Sequence, residues 1–556
     1  MKKLIALLLC AIITLLCIPV VAVFASSDGY TAIGTAAEFE ALMKDSAKWN
    51  GKYRLTADID LSSIALTPIG TEAIPFTGVF DGSFYRISGI TVEGTGIIGL
   101  FGSVKNAEIR NLLVSGTVKN LDTSIGMNSG VATGGIIGFA TQKCVFENLL
   151  SEVAVTGSCN VGGVIGYAFV DYDDFTVRNC INTGKVTGTA VACGGIIGHL
   201  QSSGSADHSV IITGCTNNGA VDCTDTEAGI AVTAGGIIGK FYCETPTEIT
   251  YCVNNGEIIA SEKATDAGGI GGIVGRIADK DVAISLLLKG CLNNAKVQGG
   301  YYAGGIGGYM NLHNSSMSDS FVEECANYGE ISGLRYGAGM IGYLRGQDTT
   351  GTYKIYLKNC FNSGKISATN TDASGTTSGG MVGYQVRSEL SGCLNLGEVS
   401  QPNVSEPVRI GGISGYAYSY SGTSCYSVLL DPYGSMNADN YQADDASRKI
   451  SYEDAKLQTN FAGFDFNSVW KMGNLSPVLQ NVGNNTEIKH AGDTAPVTTP
   501  SAQTSESETG EPVPETTAPG GETTPETGSF AVYFAIAGLV SLFAIAGIGL
   551  KKRYQK

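Results

Sequence analysis

Charged side chains are scarce in this chain, and the charge that is present is mostly of one sign. Asp, Glu, Lys and Arg together make up 15% of the 556 residues, and the formal net charge is −16. So small a charged fraction is not typical of a disordered, solvating chain. An acidic chain also repels nucleic acid and anionic lipid surfaces, so we expect no nucleic-acid partner.

Motifs that mark catalytic or metal sites are absent as well. The sequence has no Cys-x-x-Cys, no His-Glu-x-x-His and no Gly-x-Ser-x-Gly segment, and its four histidines are scattered. Zinc sites, zinc peptidases and serine hydrolases are commonly marked by such segments. We therefore predict that the protein is not an enzyme and that it uses neither a metal nor a cofactor.

Two groups of aspartates are the remaining candidates for acid–base chemistry or metal binding. Neither group recurs in a form that defines a site, so we interpret both as solvated loops, with weak calcium binding as a remote alternative. The groups are Asp171, Asp173 and Asp174, and Asp444 and Asp445.

Glycine, by contrast, is abundant, with 76 residues. This share lies well above the average of about 7%, and no three-residue period exists, which excludes collagen. Dense glycine together with many Val, Ile and Tyr residues is typical of short strands joined by tight turns.

The first 25 residues are predicted to be a signal peptide. Lys2 and Lys3 precede a nearly unbroken apolar run that extends to Phe24, and small residues stand where a signal peptidase reads. We expect cleavage after Ala25, with an uncleaved membrane anchor as the alternative. The protein is therefore expected to be exported.

The other end of the chain carries a second targeting pattern. Residues 530–550 form a charge-free apolar stretch followed by Lys551, Lys552 and Arg553, a length and charge arrangement that suits a transmembrane segment with a cytoplasmic tail. Residues 481–528, rich in Thr, Pro, Glu, Ser and Gly, are predicted to be an extended stalk that spans the cell wall. Residues 529–556 complete the predicted sorting tail.

The segment Thr524-Pro525-Glu526-Thr527-Gly528 resembles the sortase signal of Gram-positive surface proteins, Leu-Pro-any-Thr-Gly. Pro525, Thr527 and Gly528 match that signal, whereas Thr524 stands where the family has Leu. The resemblance implies that sortase cuts between Thr527 and Gly528 and joins Thr527 to peptidoglycan, so that the membrane is a partner only before sorting. A plain membrane anchor at the cell surface is the alternative.

The middle of the chain is a repeat array. The segment Gly134-Gly135-Ile136-Ile137-Gly138-Phe139 returns in related form with 28 to 41 residues between the last glycines of successive copies, a range typical of stacked supersecondary units. A divergent first copy is Gly99-Leu100-Phe101-Gly102. Later copies lie at residues 162–167, 194–199, 235–240, 271–276, 304–309, 338–343, 379–384 and 411–416.

A second motif, Cys-x-Asn-x-Gly, lies between the copies, as in Cys180-Ile181-Asn182-Thr183-Gly184. Stacked rungs are spaced by roughly 4.8 Å, so the motif predicts one internal column of cysteines and a parallel column of asparagines that exchange amide hydrogen bonds. Leu112 and Leu149 hold the cysteine position in the first units, which favours buried free thiols over disulfides. We expect glycine and asparagine to turn the corners between sheets by adopting positive φ.

These repeats resemble the GLUG repeat of bacterial surface proteins over roughly residues 28–480. That family consists largely of adhesin-like proteins, and its motif also occurs in some bacterial IgA peptidases. The resemblance implies an all-β, right-handed parallel β-helix.

We predict an N-terminal cap with the first rungs over 26–95, the repeat solenoid over 96–429 and a small C-terminal cap over 430–480. The capping box Thr35-Ala36-Ala37-Glu38 predicts a short helix over the first rung.

Exposed tyrosines are the most plausible ligand-binding residues. Tyr167, Tyr309, Tyr343, Tyr384 and Tyr416 share one repeat position and could contact a sugar or a protein ligand. We favour a stacking column that stabilises the rungs, because Phe139, His199, Lys240 and Arg276 interrupt the row.

The overall prediction is a wall-anchored, adhesin-like protein that recognises an extracellular glycan or protein. The alternatives are a carbohydrate-active β-helix enzyme and a structural component of the surface or of a biofilm.

Overall fold

The computed structural model describes the chain from residue 29 to residue 491, with several internal gaps. The predicted signal peptide, the sortase residues Pro525, Thr527 and Gly528, and the predicted segment 530–550 lie outside the described residues. The gaps are 124–129, 190–191, 205–206, 225–231, 262–267, 280–284, 313–318, 347–353, 372–374, 405–408, 419, 429–432, 437–440, 444–447 and 484–487.

Short parallel strands stack into the long sheets of a parallel β-helix, which confirms the predicted fold class. Each rung runs through sheet 2, then sheet 1, then sheet 3. Sheet 1 is formed by Phe101–Lys105, Ile137–Thr141, Ile165–Asp171, Ile197–Ser203, Ile238–Cys243, Val274–Asp279, Gly307–Asn311, Ile341–Arg345, Val382–Val386, Ser414–Tyr418 and Tyr433–Met436. Sheet 2 is formed by Ile97–Ile98, Ala132–Gly134, Val161–Gly162, Ala192–Gly194, Thr233–Gly235, Gly269–Gly271, Tyr302–Gly304, Tyr336–Ala338, Thr377–Gly379 and Ile410–Gly411.

Sheet 3 wraps the other side and bends twice, so most rungs contribute three short strands. Its first rungs are Thr31–Ile33, Lys52–Leu55, Ile59–Asp60, Val79–Asp81, Arg86–Gly94, Glu108–Asn120 and Cys144–Gly157. The first row then comprises Phe175–Arg178, Val210–Thr213, Thr247–Thr250, Leu286–Lys289, Ser320–Glu323, Ile355–Lys358, Ser388–Ser391, Tyr420–Thr423 and Tyr441–Ala443. The second row comprises Ile181–Asn182, Thr216–Asn217, Val253–Asn254, Leu292–Asn293, Ala326–Asn327, Phe361–Asn362, Leu394–Asn395, Tyr426–Val428 and Arg448–Ile450. The third row comprises Val186–Gly188, Val221–Cys223, Ile258–Ala260, Val297–Gln298, Ile331–Gly333, Ile366–Ala368 and Val399–Ser400.

The N-terminal end of the core is closed by helix α1 (Ala36–Lys44), as the capping box predicted. The Thr35 hydroxyl oxygen accepts a hydrogen bond from the Glu38 amide at 3.2 Å, and the Glu38 carboxylate accepts one from the Gly34 amide at 2.9 Å. Phe39, Leu42 and Met43 are buried in the main core. The helix therefore shields apolar groups of the first rungs from water, and a 3-10 turn, Ser46–Lys48, follows it.

The predicted asparagine column is present and continuous. Every amide nitrogen except that of the last member, Asn395, donates to the asparagine side-chain oxygen of the next rung at 2.7–2.9 Å. All seven also donate to the carbonyl oxygen two residues further along the chain. These asparagines are fully buried. The column consists of Asn182, Asn217, Asn254, Asn293, Asn327, Asn362 and Asn395.

Glycine and asparagine turn the corners of the rungs, as predicted. Positive φ falls on the residue just before the cysteine or leucine of the second motif, and at seven of these ten positions that residue is Asn or Gly, for example Asn179 at 54° and Gly214 at 66°. The glycines inside the two motifs are instead needed for space: a Cβ on Gly163 would lie 2.2 Å from the Gly195 carbonyl oxygen, and one on Gly184 would lie 1.9 Å from the Val153 carbonyl oxygen. Close packing of neighbouring rungs therefore excludes side chains at the motif glycines.

Residues 448–479 form the C-terminal end of the described fold. One further rung ends with Arg448–Ile450, and 3-10 turns at Asp454–Lys456 and Gln458–Asn460 follow. An antiparallel hairpin joins Trp470–Met472 to Pro477–Leu479. Trp470 is fully buried and stacks on Phe464 with ring centroids 4.4 Å apart.

After this hairpin the chain runs back along the outside of sheet 3. We call residues 480–491, apart from the undescribed 484–487, the return segment. The Gly483 amide donates to the Gly290 carbonyl oxygen at 2.7 Å, and Ile488 packs against a cluster that contains Leu150. Further back, the Ala491 amide donates to the Phe84 carbonyl oxygen at 2.9 Å. The described chain thus returns to its first rungs.

The described residues contain no helix that is long and apolar enough to cross a membrane.

Candidate ligand-binding surface

The five predicted tyrosines occupy one column of sheet 1, since each pairs in register with its equivalent on the next rung. Tyr309, Tyr343, Tyr384 and Tyr416 are consecutive in this column. Successive ring centroids lie 5.0, 5.5 and 4.7 Å apart, with interplanar angles of 6°, 15° and 25°. The rings therefore stack face to face, and each ring face between two neighbours is already occupied.

Tyr167 is set apart from the other four. It is 5% exposed and stacks between Phe139, at 5.1 Å, and His199, at 4.8 Å. His199, Lys240 and Arg276 fill the column between Tyr167 and Tyr309. The structure thus brings four of the five predicted residues together and leaves Tyr167 as a buried packing residue.

A second tyrosine column on sheet 2 lies beside the first. Tyr302 and Tyr336 stack at 5.2 Å, and the ring of Tyr336 lies 5.4 Å from that of Tyr384. Tyr301 packs edge-on against both Tyr302 and Tyr336. Sequence analysis did not single out Tyr336, because the flanking rungs carry Gly269 and Thr377 at the position of Tyr302 and Tyr336.

Arginines flank these columns. The sequence analysis named Arg276 only as an interruption of the tyrosine row, and it did not name Arg335 or Arg409. The guanidinium carbon of Arg276 lies 4.9 Å from the Tyr309 ring centroid, and that of Arg409 lies 4.7 Å from the Tyr416 ring centroid. Arg335 covers Tyr301 and Tyr336 at 5.2 and 5.5 Å. Such cation–π contacts place positive charge at the edge of the stacked rings.

A surface cavity opens beside the first column, where two further arginines, Arg345 and Arg387, lie next to the tyrosines. Its volume is about 390 Å³, within the roughly 300–1,000 Å³ typical of small-ligand sites. We call its lining the Tyr–Arg surface, which consists of Tyr343, Arg345, Tyr384, Val386, Arg387, Tyr416 and Tyr418. A signal for Arg345 exists in the sequence, because it stands two residues after Tyr343, which places both side chains on one face of the strand.

Hydrogen-bond donors dominate this lining. Burial raises the pKa of Tyr343 and of Tyr384, so both hydroxyls stay protonated at neutral pH. The Nε atom of Arg345 is buried and has no hydrogen-bond acceptor among the described residues. The cavity therefore offers hydroxyl and guanidinium donors, and its described lining contains no carboxylate.

The other candidate residues do not form a comparable site in the described part of the chain. Asp171 accepts a hydrogen bond from the Ser203 hydroxyl at 2.8 Å, and Asp174 accepts from the Ser209 amide at 3.1 Å. Asp444 and Asp445 lie outside the described residues. Within the described ranges, no group of three or more His, Cys, Asp and Glu residues is arranged to hold a metal ion.

The predicted cysteine column is buried, and its thiols are free. The members are Cys180, Cys215, Cys252, Cys291, Cys325, Cys360, Cys393 and Cys425. Burial raises the pKa of Cys180 and of Cys252, and it raises that of Cys144, elsewhere in the core, to about 12. The structure therefore confirms that the column is buried, as predicted.

Comparison with known proteins gives partial similarities. No family model matches the chain. Halomucin from Haloquadratum walsbyi (strain DSM 16790 / HBSQ001) is 30% identical over 148 residues, which are 24% of this chain and 2% of halomucin. The chain therefore corresponds to only a small part of that relative.

Two solved structures are similar over most of this chain. One is a provisionally assigned immunoglobulin A1 protease from Bacteroides ovatus, with a TM-score of 0.26, 16% identity, and coverage of 82% of this chain and 94% of that one. The other is named IgA1 Protease, with a TM-score of 0.26, 14% identity, and coverage of 84% and 26%.

These names contradict the prediction that the protein is not an enzyme, because both structures are named after an enzyme family. That prediction rested on missing sequence motifs, and a catalytic site can be assembled from residues that share no short motif. We withdraw it. At these identities and TM-scores the likeness assigns no activity to this chain.

Proposed function

We propose that this chain is an exported surface protein, attached to a Gram-positive cell wall, whose β-helix recognises an extracellular glycan or protein through the Tyr–Arg surface. We also propose that it is one of the adhesin-like GLUG-repeat proteins. The observation that carries the binding proposal is the cavity of about 390 Å³ on an otherwise regular sheet, lined by tyrosines and arginines. Tyrosine and arginine are the residue types most enriched where proteins recognise partners.

The sequence at both ends supports the proposed location. An apolar N-terminal run after two lysines favours export, and the segment around Thr527 favours attachment to peptidoglycan by sortase. The similarity to a protein named halomucin is in keeping with an extracellular setting.

A binding screen on intact cells tests this function. A Gram-positive host that expresses the full chain is incubated with arrayed glycans, mucins and matrix proteins, and the same host without the chain is the control. We expect saturable binding that depends on expression. The arrayed material is then analysed for cleavage by mass spectrometry.

Each outcome distinguishes between functions. Saturable binding without loss of the arrayed material supports the proposal. Loss of a glycan or a protein from the array replaces it with an enzymatic function. Cells that bind nothing but aggregate with one another replace it with a structural role in the surface layer.

A further inference from the structure

We propose that the Tyr–Arg surface binds an anionic saccharide, that is, a sugar chain that carries carboxylate or sulfate groups. This inference rests on the proposed function and narrows its ligand to one chemical class. It is carried by the charge, the donors and the dimensions of the cavity.

The charge at the cavity is opposite to that of the chain as a whole. The formal net charge of the chain is −16, yet two guanidinium groups, those of Arg345 and Arg387, line the cavity. An anionic ligand is repelled by an acidic surface in general and is attracted where positive charge is concentrated.

The hydrogen-bond donors of the cavity suit an anionic oxygen of a sugar substituent. A guanidinium group presents a planar fork of N–H donors that matches carboxylate and comparable anionic oxygens. Arg345 and Arg387 come from neighbouring rungs, and both line the cavity.

The stacking of the tyrosines argues against neutral sugars. A neutral sugar ring is usually held on an open aromatic face, but the faces of Tyr384 are covered by Tyr343 and Tyr416. What these residues can present to a ligand is their ring edges and hydroxyl groups. Recognition here is therefore polar and depends on charge.

The dimensions of the cavity favour a saccharide over an acidic protein. Specific protein interfaces use about 20–30 residues on each side, whereas seven residues line this cavity. One or two sugar units with an anionic substituent suit a recess of about 390 Å³.

The test uses the host cells that display the full chain. Three fluorescein-labelled polymers are compared by flow cytometry: chondroitin sulfate, unsulfated chondroitin, which carries carboxylates alone, and uncharged dextran. We expect saturable binding of chondroitin sulfate, and binding of unsulfated chondroitin as well if carboxylate alone suffices. We expect no binding of dextran, and raising the salt concentration should weaken the bound signal.

Substitutions in the cavity identify the groups responsible. We expect Arg345→Gln and Arg387→Gln each to weaken binding about tenfold or more, as loss of a charge-assisted hydrogen bond does. The matched control is Arg178→Gln, which removes the same charge from sheet 3, where Arg178 is 46% exposed and lies 3.9 Å from Glu147. Arg387→Lys keeps the charge but not the fork, so it should fall between the wild type and Arg387→Gln.

A double variant separates binding from packing. Tyr384→Phe with Tyr416→Phe keeps the ring stack and removes two hydroxyl donors, so we expect weaker binding with unchanged resistance to protease. Surface display of every variant is measured with an antibody to an added tag, and binding is expressed per displayed molecule.

The inference is overturned if dextran binds as well as chondroitin sulfate, or if Arg345→Gln and Arg387→Gln bind like Arg178→Gln. If the earlier screen finds a ligand whose binding the arginine variants leave unchanged, the proposed function stands and the anionic-saccharide inference fails. If neither experiment shows any binding, both fail.

Discussion

At the scale of single residues, the asparagine column fixes the alignment of one rung on the next. Both hydrogens of each amide group are used, one within the rung and one toward the following rung, as for Asn254 with Gly256 and Asn293. A buried amide that lost its partner would cost about 1–3 kcal/mol. Each asparagine therefore disfavours any slip of its strand.

We predict that Asn254→Ala lowers the free energy of unfolding by about 2–4 kcal/mol, because it leaves a donor on Asn217 and an acceptor on Asn293 unpaired. Asn255→Ala is the matched control, because Asn255 makes similar amide contacts with Asn218 and Asn294 on the exposed side. It should change stability by less than about 0.5 kcal/mol. Urea unfolding followed by circular dichroism measures both, and equal midpoints would refute the role given to the buried column.

The sequence predicted this column because a repeat shows which residues a position tolerates. The exchange of Cys180 with Leu149 marked a buried site, and the constant Asn two residues later marked a paired one. The corner position gave a weaker signal of the same kind. Asn or Gly stands there in seven of ten rungs, whereas Tyr251 and Glu324 adopt positive φ at the same position without being typical of it. The cavity arginines were missed because neighbouring rungs carry other residues at their positions.

At the scale of elements, the return segment explains an outward-facing row of apolar side chains. Val253 and Phe361 stand between the buried cysteine and asparagine and point away from the main core, yet they are only 5% and 2% exposed. Gly483 and neighbouring residues cover the first, and the C-terminal hairpin region covers the second. The apolar x position of Cys-x-Asn was therefore a signal for a covering segment.

We predict that a chain ended after Gln480 exposes the part of this row that the return segment covers, which includes Val253 and Ile181, whereas a chain ended after Ala491 does not. The shorter chain should bind an apolar fluorescent dye more strongly and unfold at a lower temperature, since exposed apolar patches of this kind are unfavourable in water. Dye fluorescence and thermal scans of the two secreted chains measure this. Identical scans would mean that the contacts of Ile488 and Gly483 contribute nothing to stability.

At the scale of the whole molecule, the repeat pattern predicted the β-helix because each unit buries its apolar face only against its neighbours. The capping helix followed equally directly from Thr35 and Glu38. Attachment to the cell wall remains a prediction from the resemblance around Thr527. The ligand-binding residues could be predicted only in part, because a row of tyrosines is equally typical of rings that stack between rungs and of rings that contact a ligand.

We predict that Thr527→Ala with Gly528→Ala removes the chain from purified peptidoglycan and shifts it to the membrane or the medium. Thr523→Ala is the matched control and should leave wall attachment unchanged. Immunoblots of wall fractions digested with a muralytic enzyme measure the distribution. A double variant that is still released only by wall digestion would rule out sortase attachment at this site.

The return segment also determines where mechanical load enters an anchored protein. If the chain is held by its C-terminal stalk, tension reaches the fold at Ala491, beside Phe84 and the first rungs, and not at the last rung. The segment would then peel from its C-terminal end at Ala491 back toward Trp470, one contact at a time, and lengthen the tether as it does so. Under shear flow, we expect this peeling to dissipate force while the rungs that hold the Tyr–Arg surface stay folded.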